Sequence, residues 1–304
     1  MADIIWLASY PRSGNTWFRI FLSNLLHPSD CPVNINGLPE RNTIASARDV
    51  FDEITCLCAG DLTFDEIDRL RPRVYETMAA ESKKRLYLKI HDAYTLTPDG
   101  EPLVSTTATA GVIYIVRNPL DVAISRAHHT SCSIDKAIDE MANMESMLMG
   151  SHCKLGKQLR QRLLGWSGHV ASWLGAPGVP IHVVHYEDMQ ARPLEVFHAA
   201  ARFAGIDCDA DAVRTAVERS SFQELQKQER RGGFRERLPQ TAVFFRAGKV
   251  GGWRQTLSPK QVDRIIQDHG AAMRRLGYFD ADGDVIDEHH ADRGSMEPSV
   301  TIDV

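Results

Sequence analysis

Four short runs, residues 4–8 (IIWLA), 85–90 (RLYLKI), 111–116 (GVIYIV) and 180–186 (PIHVVHY), are rich in Val, Ile and aromatic residues, and helix-spaced patterns lie between them. Such alternation leaves few folds open. Strands separated by helices pair in parallel through right-handed crossovers, so the expected fold class is α/β, a doubly wound, mostly parallel sheet flanked by helices. Helical patterns start at Thr16 and recur over residues 119–128, 134–149, 155–174, 193–203 and 210–219. A last helix opens at Ser258-Pro259-Lys260-Gln261, with Ser258 as N-cap, Pro259 in the first turn and Gln261 as reciprocal partner, and is expected to end at Gly277. Segments 28–60 and 226–250 lack a clear period and read as irregular caps over a site.

The first run passes into its helix through Ser9-Tyr10-Pro11-Arg12-Ser13-Gly14-Asn15-Thr16, and Trp17, Phe21 and Leu25 then form an apolar stripe. This P-loop-like strand, loop and helix aims backbone N–H groups and the positive end of a helix dipole at one point, where an anion is held. Ser13, Asn15 and Thr16 add short donors, Arg12 adds a planar fork, and Gly14 permits close backbone approach. An ordinary turn with a capping Ser is the plain alternative.

Three further polar stations lie at strand ends or in loops. Lys89 and His91 alternate to one side of the second strand at its carboxyl edge, where open α/β sheets bind ligands. Arg117 lies in the bend after the third strand with Ser125 two turns into the next helix, a pair suited to a second phosphate; a structural ion pair of Arg117 with Asp121 is the alternative. Residues 244–258 hold Arg246, Lys249 and Arg254 among three glycines, either as a phosphate-capturing loop or as a solvated basic one.

With 304 residues, 43% hydrophobic and 25% charged, the chain buries a sizeable core, and disorder throughout is excluded. Its net charge of −5 argues against a general nucleic-acid binder. Residues 281–304 carry seven acids against one base, so a single domain over 1–279 followed by an acidic, disordered tail over 280–304 is expected. No basic-then-apolar leader and no run of roughly 20 apolar residues is present, which points to a soluble, cytoplasmic protein with no membrane partner. Six cysteines without C-x-x-C spacing read as free thiols, Cys153 among them. His128-His129 and His289-His290 lack ligand-spaced partners, and Met141, Met144, Met147 and Met149 read as core packing or a malleable substrate wall, so no metal is assigned.

Together these stations resemble the cytosolic sulfotransferases that use 3′-phosphoadenosine 5′-phosphosulfate (PAPS), in a bacterial-like, small-molecule form. The family's Tyr-Pro-Lys-Ser-Gly-Thr-Thr-Trp is matched by Tyr10 to Trp17, its Arg-Asn-Pro-x-Asp and following Ser by Arg117 to Asp121 and Ser125, and its Lys-x-His by Lys89-Ile90-His91. Tyr186 in "HYEDM", Ser220 and Phe222 in "SSFQEL", and the closing Arg246-Ala247-Gly248 through Trp253 complete the likeness over residues 5 to about 275. The resemblance implies a 5′-phosphosulfate on residues 12–17, a 3′-phosphate on Arg117 and Ser125, Tyr186, Ser220 and Phe222 about the nucleotide, and His91 as catalytic base. It implies in-line transfer to a hydroxyl or amine of a small-molecule acceptor, charge stabilised by Arg12 and Lys89, no metal, and a homodimer left open. Arg12 stands where the family usually has Lys, and Ala247 removes the closing motif's Lys. Two rivals are a nucleotide or sugar kinase, disfavoured because no G-x-x-x-x-G-K-[ST] occurs, and a silent nucleotide-binding protein of the same fold.

Overall fold

The computed structural model describes residues 4–38, 43–151 and 156–286. Cys153, His289-His290 and the tail from residue 287 lie outside the described residues. In chain order the elements are β1 (Ile4–Ala8), α1 (Asn15–Leu26), α2 (Arg48–Thr55), α3 (Phe64–Glu81), β2 (Leu86–Ile90), β3 (Thr109–Val116), α4 (Pro119–Thr130), α5 (Ile134–Ala142), β4 (Met147–Leu148), β5 (Gln161–Arg162), α6 (Gly165–Leu174), β6 (Ile181–His185), α7 (Tyr186–Ala191), α8 (Pro193–Phe203), α9 (Ala210–Arg219), α10 (Phe222–Gly232) and α11 (Pro259–Arg275).

All five residues of β1 are buried, as an apolar run without alternation requires. It lies inside a parallel sheet of order β2-β1-β3-β6, with Ala8 level with Ile90 on one side and Tyr114 on the other. Helices cover both faces. One core layer joins Trp6, Leu88, Val112 and Tyr114 to α3, α4, α6 and α11; the other joins Ile5, Leu7, Ile113 and Ile115 to α1, α8 and α9. From β1 the chain goes to β2 on one side and crosses to β3 on the other, so the order reverses at β1. A crevice opens outside the carboxyl end of such a strand.

Several helices differ from the sequence reading. The expected helix over 134–149 stops at Ala142, and Met147–Leu148 instead pairs antiparallel with Gln161–Arg162. That pairing also shortens the expected 155–174 helix to Gly165–Leu174. Gly165, at φ +63°, begins it where a Cβ would stand 2.6 Å from the Met141 carbonyl oxygen. Met144, Met147 and Met149 are therefore exposed, and only Met141 is core. Segment 28–60, read as irregular, contains a 3₁₀ turn at Ile35–Gly37 and the amphipathic α2, whose Val50 and Phe51 are buried. Helix α3 opens on a capping box of Thr63 and Glu66. Segment 226–250 begins inside α10 and becomes irregular only after Gly232.

Helix α11 has the expected Ser258–Gln261 capping box. Beyond Phe279, where disorder was expected, residues 280–286 turn back and Phe279 bridges Val285.

Candidate active site

The loop after β1 is a concave run of backbone amides. Arg12 at φ +75° and Gly14 at φ +106° alternate in hand with their neighbours, so successive N–H groups converge. The N–H groups of Ser13 to Trp17 meet no protein acceptor among the described residues. Gly14 is needed twice over: its φ is left-handed, and a Cβ there would lie 2.7 Å from the Tyr186 ring. Asn15 departs from the expected role. Its side-chain N–H groups donate to the Leu7 carbonyl at 2.7 Å and to Ser9 Oγ at 3.2 Å, so it ties the loop to β1 and leaves its position on the cleft to its backbone. Ser13 is buried with its hydroxyl unpartnered.

Beside this loop, β2 delivers Lys89 and His91. His91 is half-buried, and its Nδ1 lies 2.7 Å from the Ser9 carbonyl oxygen, which accepts only from an N–H. Nδ1 therefore carries the proton and Nε2 keeps a lone pair. Burial, then neighbouring Lys89, holds the imidazole well below its usual pKa, so the neutral form prevails. The backbone of His91 is anchored in turn: its carbonyl lies 3.2 Å from His169 Nε2, and His169 Nδ1 lies 2.9 Å from the Tyr114 hydroxyl. Lys89 Nζ lies 3.4 Å from Glu236, which also meets Arg19 at 2.8 Å. Burial lowers the Lys89 pKa, and the two cations draw the Glu236 carboxyl down to about 2.

Arg12 and Ser125, expected at opposite ends of a nucleotide, touch each other. Arg12 Nε donates to Ser125 Oγ at 3.1 Å, and its guanidinium carbon lies 4.3 Å from the Phe244 ring centroid. Burial and the nearby Arg117 push the Arg12 pKa down to about 10. Arg117 lies 4.3 Å over the Tyr186 ring and donates to the Lys249 carbonyl at 3.0 Å. The alternative ion pair with Asp121 exists at 3.8 Å, but the closer partners of Asp121 are backbone. Its two oxygens accept from Gly251 N–H at 2.9 Å and Trp253 N–H at 3.0 Å. Glu229 does the same on the other side, accepting from Phe244 N–H at 2.7 Å and Phe245 N–H at 2.9 Å. The segment bearing Arg246, Ala247 and Gly248 is thus held between two carboxylates.

Most of these groups line one cavity of about 1130 Å³. Arg12, Gly14, Asn15, Thr16, Trp17, Lys89, His91, Arg117, Ser125, Tyr186, Phe222, Arg246, Ala247 and Gly248 all border it. Ser13 and Ser220 are not among them: both are buried, and the Ser220 hydroxyl, at the end of α9, donates back to the Val217 carbonyl. Arg254 turns away and donates to the Val285 carbonyl. Glu229 and Glu236, which the sequence reading left without a role, sit in a stretch where bases outnumber acids, the only signal that could have singled them out. The cavity's charge balance favours an anion. Arg12, Lys89, His91, His128 and His129 all have depressed pKa values from burial, and for each a neighbouring cation adds to the effect.

Known proteins resemble this chain along most of its length. The family model "Sulfotransferase domain" matches residues 2–277. Cytosolic sulfotransferase 17 of Arabidopsis thaliana is 26% identical over 279 residues, covering 86% of this chain and 71% of that one. Sulfotransferase 1A1 of Canis lupus familiaris is 24% identical over 282 residues, covering 90% and 85%. Among solved structures, a mouse sulfotransferase complexed with PAP superposes with a TM-score of 0.56 at 18% identity, covering 90% of this chain and 86% of that one. A retinol dehydratase in complex with androsterone and PAP gives 0.57 at 16%, covering 92% and 83%.

Proposed function

We propose, from the premise that the chain belongs to the sulfotransferase family, that it moves the sulfuryl group of PAPS to a hydroxyl or amine of a small or medium-sized acceptor, with His91 as the base. The observation that carries this reading is the neutral imidazole of His91, its Nδ1 committed to Ser9, standing among Lys89, Arg12 and Arg117 in one cleft.

Bound PAPS would supply an activated sulfur and a phosphate leaving group. The residues present suit it: the amides of residues 14–17 at the 5′ end, Arg117 toward the 3′-phosphate, Arg12 and Ser125, in contact with each other, between the two, and Phe222, Trp17 and Tyr186 as aromatic walls. Arg246 to Gly248 close over the nucleotide, with Ala247 in place of a cation. His91 Nε2 takes the acceptor proton as the new S–O bond forms. Lys89 and Arg12 hold the charge that gathers on the departing phosphate oxygen as the old bond breaks, and neither has to be recruited from solvent.

The test is calorimetric titration with 3′,5′-adenosine bisphosphate (PAP) and, separately, with ATP and magnesium. PAP is expected to bind selectively. His91→Ala is expected to lower kcat by about 10²–10⁴-fold while the PAP Kd stays within about twofold. Equal loss of turnover and of PAP binding would remove the assigned role of His91, and binding of ATP alone would make the protein a kinase.

A further inference from the structure

Lys89 and His91 stand at a weak place in the sheet. They lie at the carboxyl end of β2, and β2 is an edge strand, paired by β1 on one side only. The end of an edge strand is where a sheet opens most readily. A base placed there needs further support to keep one position against a substrate. Residues 43–45 supply part of it. The Lys89 N–H donates to the Thr43 carbonyl at 2.8 Å and the Ala45 N–H donates to the Lys89 carbonyl at 2.9 Å, so a short bridge covers the open side.

The rest comes from α3, none of whose residues borders the cavity. Arg71 of α3 is 1% exposed and grips Asp92, the residue after His91, with both ends of its fork. Its Nη1 donates to Oδ1 at 3.0 Å and its Nη2 to Oδ2 at 2.7 Å. The remaining N–H groups of Arg71 reach two other segments. Nε donates to the Tyr75 hydroxyl at 2.9 Å, which donates on to the Ala45 carbonyl at 3.3 Å, and Nη1 also donates to the Arg160 carbonyl at 3.3 Å. One side chain therefore joins the end of β2, the bridge at 43–45 and the segment 157–162. Ile44, Ala47, Gln158 and Gln161 of the last two line the cavity with His91. Asp92 is held from its other side as well: Oδ1 accepts from the Arg162 N–H at 3.2 Å, and its carbonyl accepts from Trp173 Nε1 at 3.0 Å.

Stability alone does not account for this pair. Asp68 and Arg160 form an ion pair beside it, so two positive and two negative groups balance. A buried ion pair adds little to stability over an apolar pair of the same shape. What a two-pronged fork adds is direction.

We propose that Arg71, through Asp92, is a positioning residue for the base: it fixes the His91 peptide so that Nδ1 stays on the Ser9 carbonyl and Nε2 is left for the acceptor. The proposal rests on the reading of His91 as the base of a sulfotransferase, and its test keeps the two apart. Titration of the unaltered protein with PAP comes first; absence of binding would overturn both. With PAP bound, ¹⁵N NMR at about pH 8, where imidazole is neutral, reads the ratio of Nδ1–H to Nε2–H forms of His91, assigned against His91→Ala. The double variant Arg71→Met with Asp92→Asn removes both charges, so no lone charge is left in the core. Its PAP Kd is expected to stay within about twofold, while the tautomer ratio falls about tenfold, the equivalent of one hydrogen bond. Arg71→Lys keeps the charge opposite Asp92 but not the fork, and is expected to move the ratio the same way by about threefold. An unchanged ratio in both variants, with PAP binding intact, would show that His169 alone anchors the His91 peptide and would overturn the proposal. Loss of PAP affinity in step with the ratio in both variants would overturn it too, because the pair would then serve the fold at large.

Discussion

A single carbonyl decides which nitrogen of His91 is basic. Ser9 accepts from Nδ1, so the free lone pair is on Nε2, and burial beside Lys89 keeps the ring neutral. Because the folded pKa lies well below the usual 6.5, the imidazole stays unprotonated across the range where a free histidine would be charging. Histidine-selective ¹⁵N NMR of the nucleotide-free enzyme, assigned against His91→Ala, is expected to show the neutral Nδ1–H form still prevailing at pH 6.5, where a free histidine is half charged. A midpoint near 6.5 would contradict the burial argument. The pairing of Lys89 with His91 was legible in the sequence because alternation along a strand is a strict rule. The roles of Asn15 and Ser220 were not, since an amide or hydroxyl at a turn satisfies its own backbone as readily as a ligand, and here Leu7 and Val217 accept those bonds.

At the scale of elements, the return segment from Phe244 to Trp253 is shaped by carboxylates on two helices, Glu229 of α10 and Asp121 of α4. Each uses both oxygens on two backbone N–H groups, which fixes Arg246 to Gly248 before any ligand arrives. Glu229→Gln keeps the length of the side chain but turns one acceptor into a donor facing an N–H. The PAP Kd is expected to rise about tenfold, the equivalent of one charge-assisted bond, and proteolytic cleavage between residues 240 and 250 to quicken. An unaltered Kd with unaltered cleavage would show that the segment is held by its aromatic packing instead. The strands and the helices with clear caps were legible, Ser258 and Gln261 being the plainest case. Residues 134–174 were misjudged because methionines at helical spacing continue the pattern of α5 past its real end, and β4 and β5 are too short to alternate visibly.

For the molecule as a whole, one buried carboxylate joins distant parts of the chain. Glu236 meets Arg19 of α1 and Lys89 of β2, so the first helix, the sheet edge and the C-terminal third share an ion pair. Glu236→Gln leaves both cations short of a partner and is expected to destabilise the fold by about 2 kcal/mol, or roughly 4–8 °C in Tm. The Glu236 carboxyl is drawn down to about 2, so its contribution is complete above about 4.5 and fades as pH falls toward 2. Melting curves of the two proteins should therefore converge in acid, and a gap that persists there would mean packing, not charge, is the cause. The parallel sheet was legible from strand and helix alternation, whereas this long-range tie was not, because nothing local marks a glutamate that will meet residues 147 and 217 positions away. The layout of the cleft also has a consequence for how such a protein diversifies. One side of the cleft, where the proposed nucleotide would lie, is built from the loops after β1 and β3 and from the clamped segment 244–253, while the wall beside His91 comes from residues 44–52, 147–149 and 157–161. The two are separate stretches of chain. Substitutions can accumulate in the second set and redirect the enzyme to new acceptors while the donor site is inherited intact.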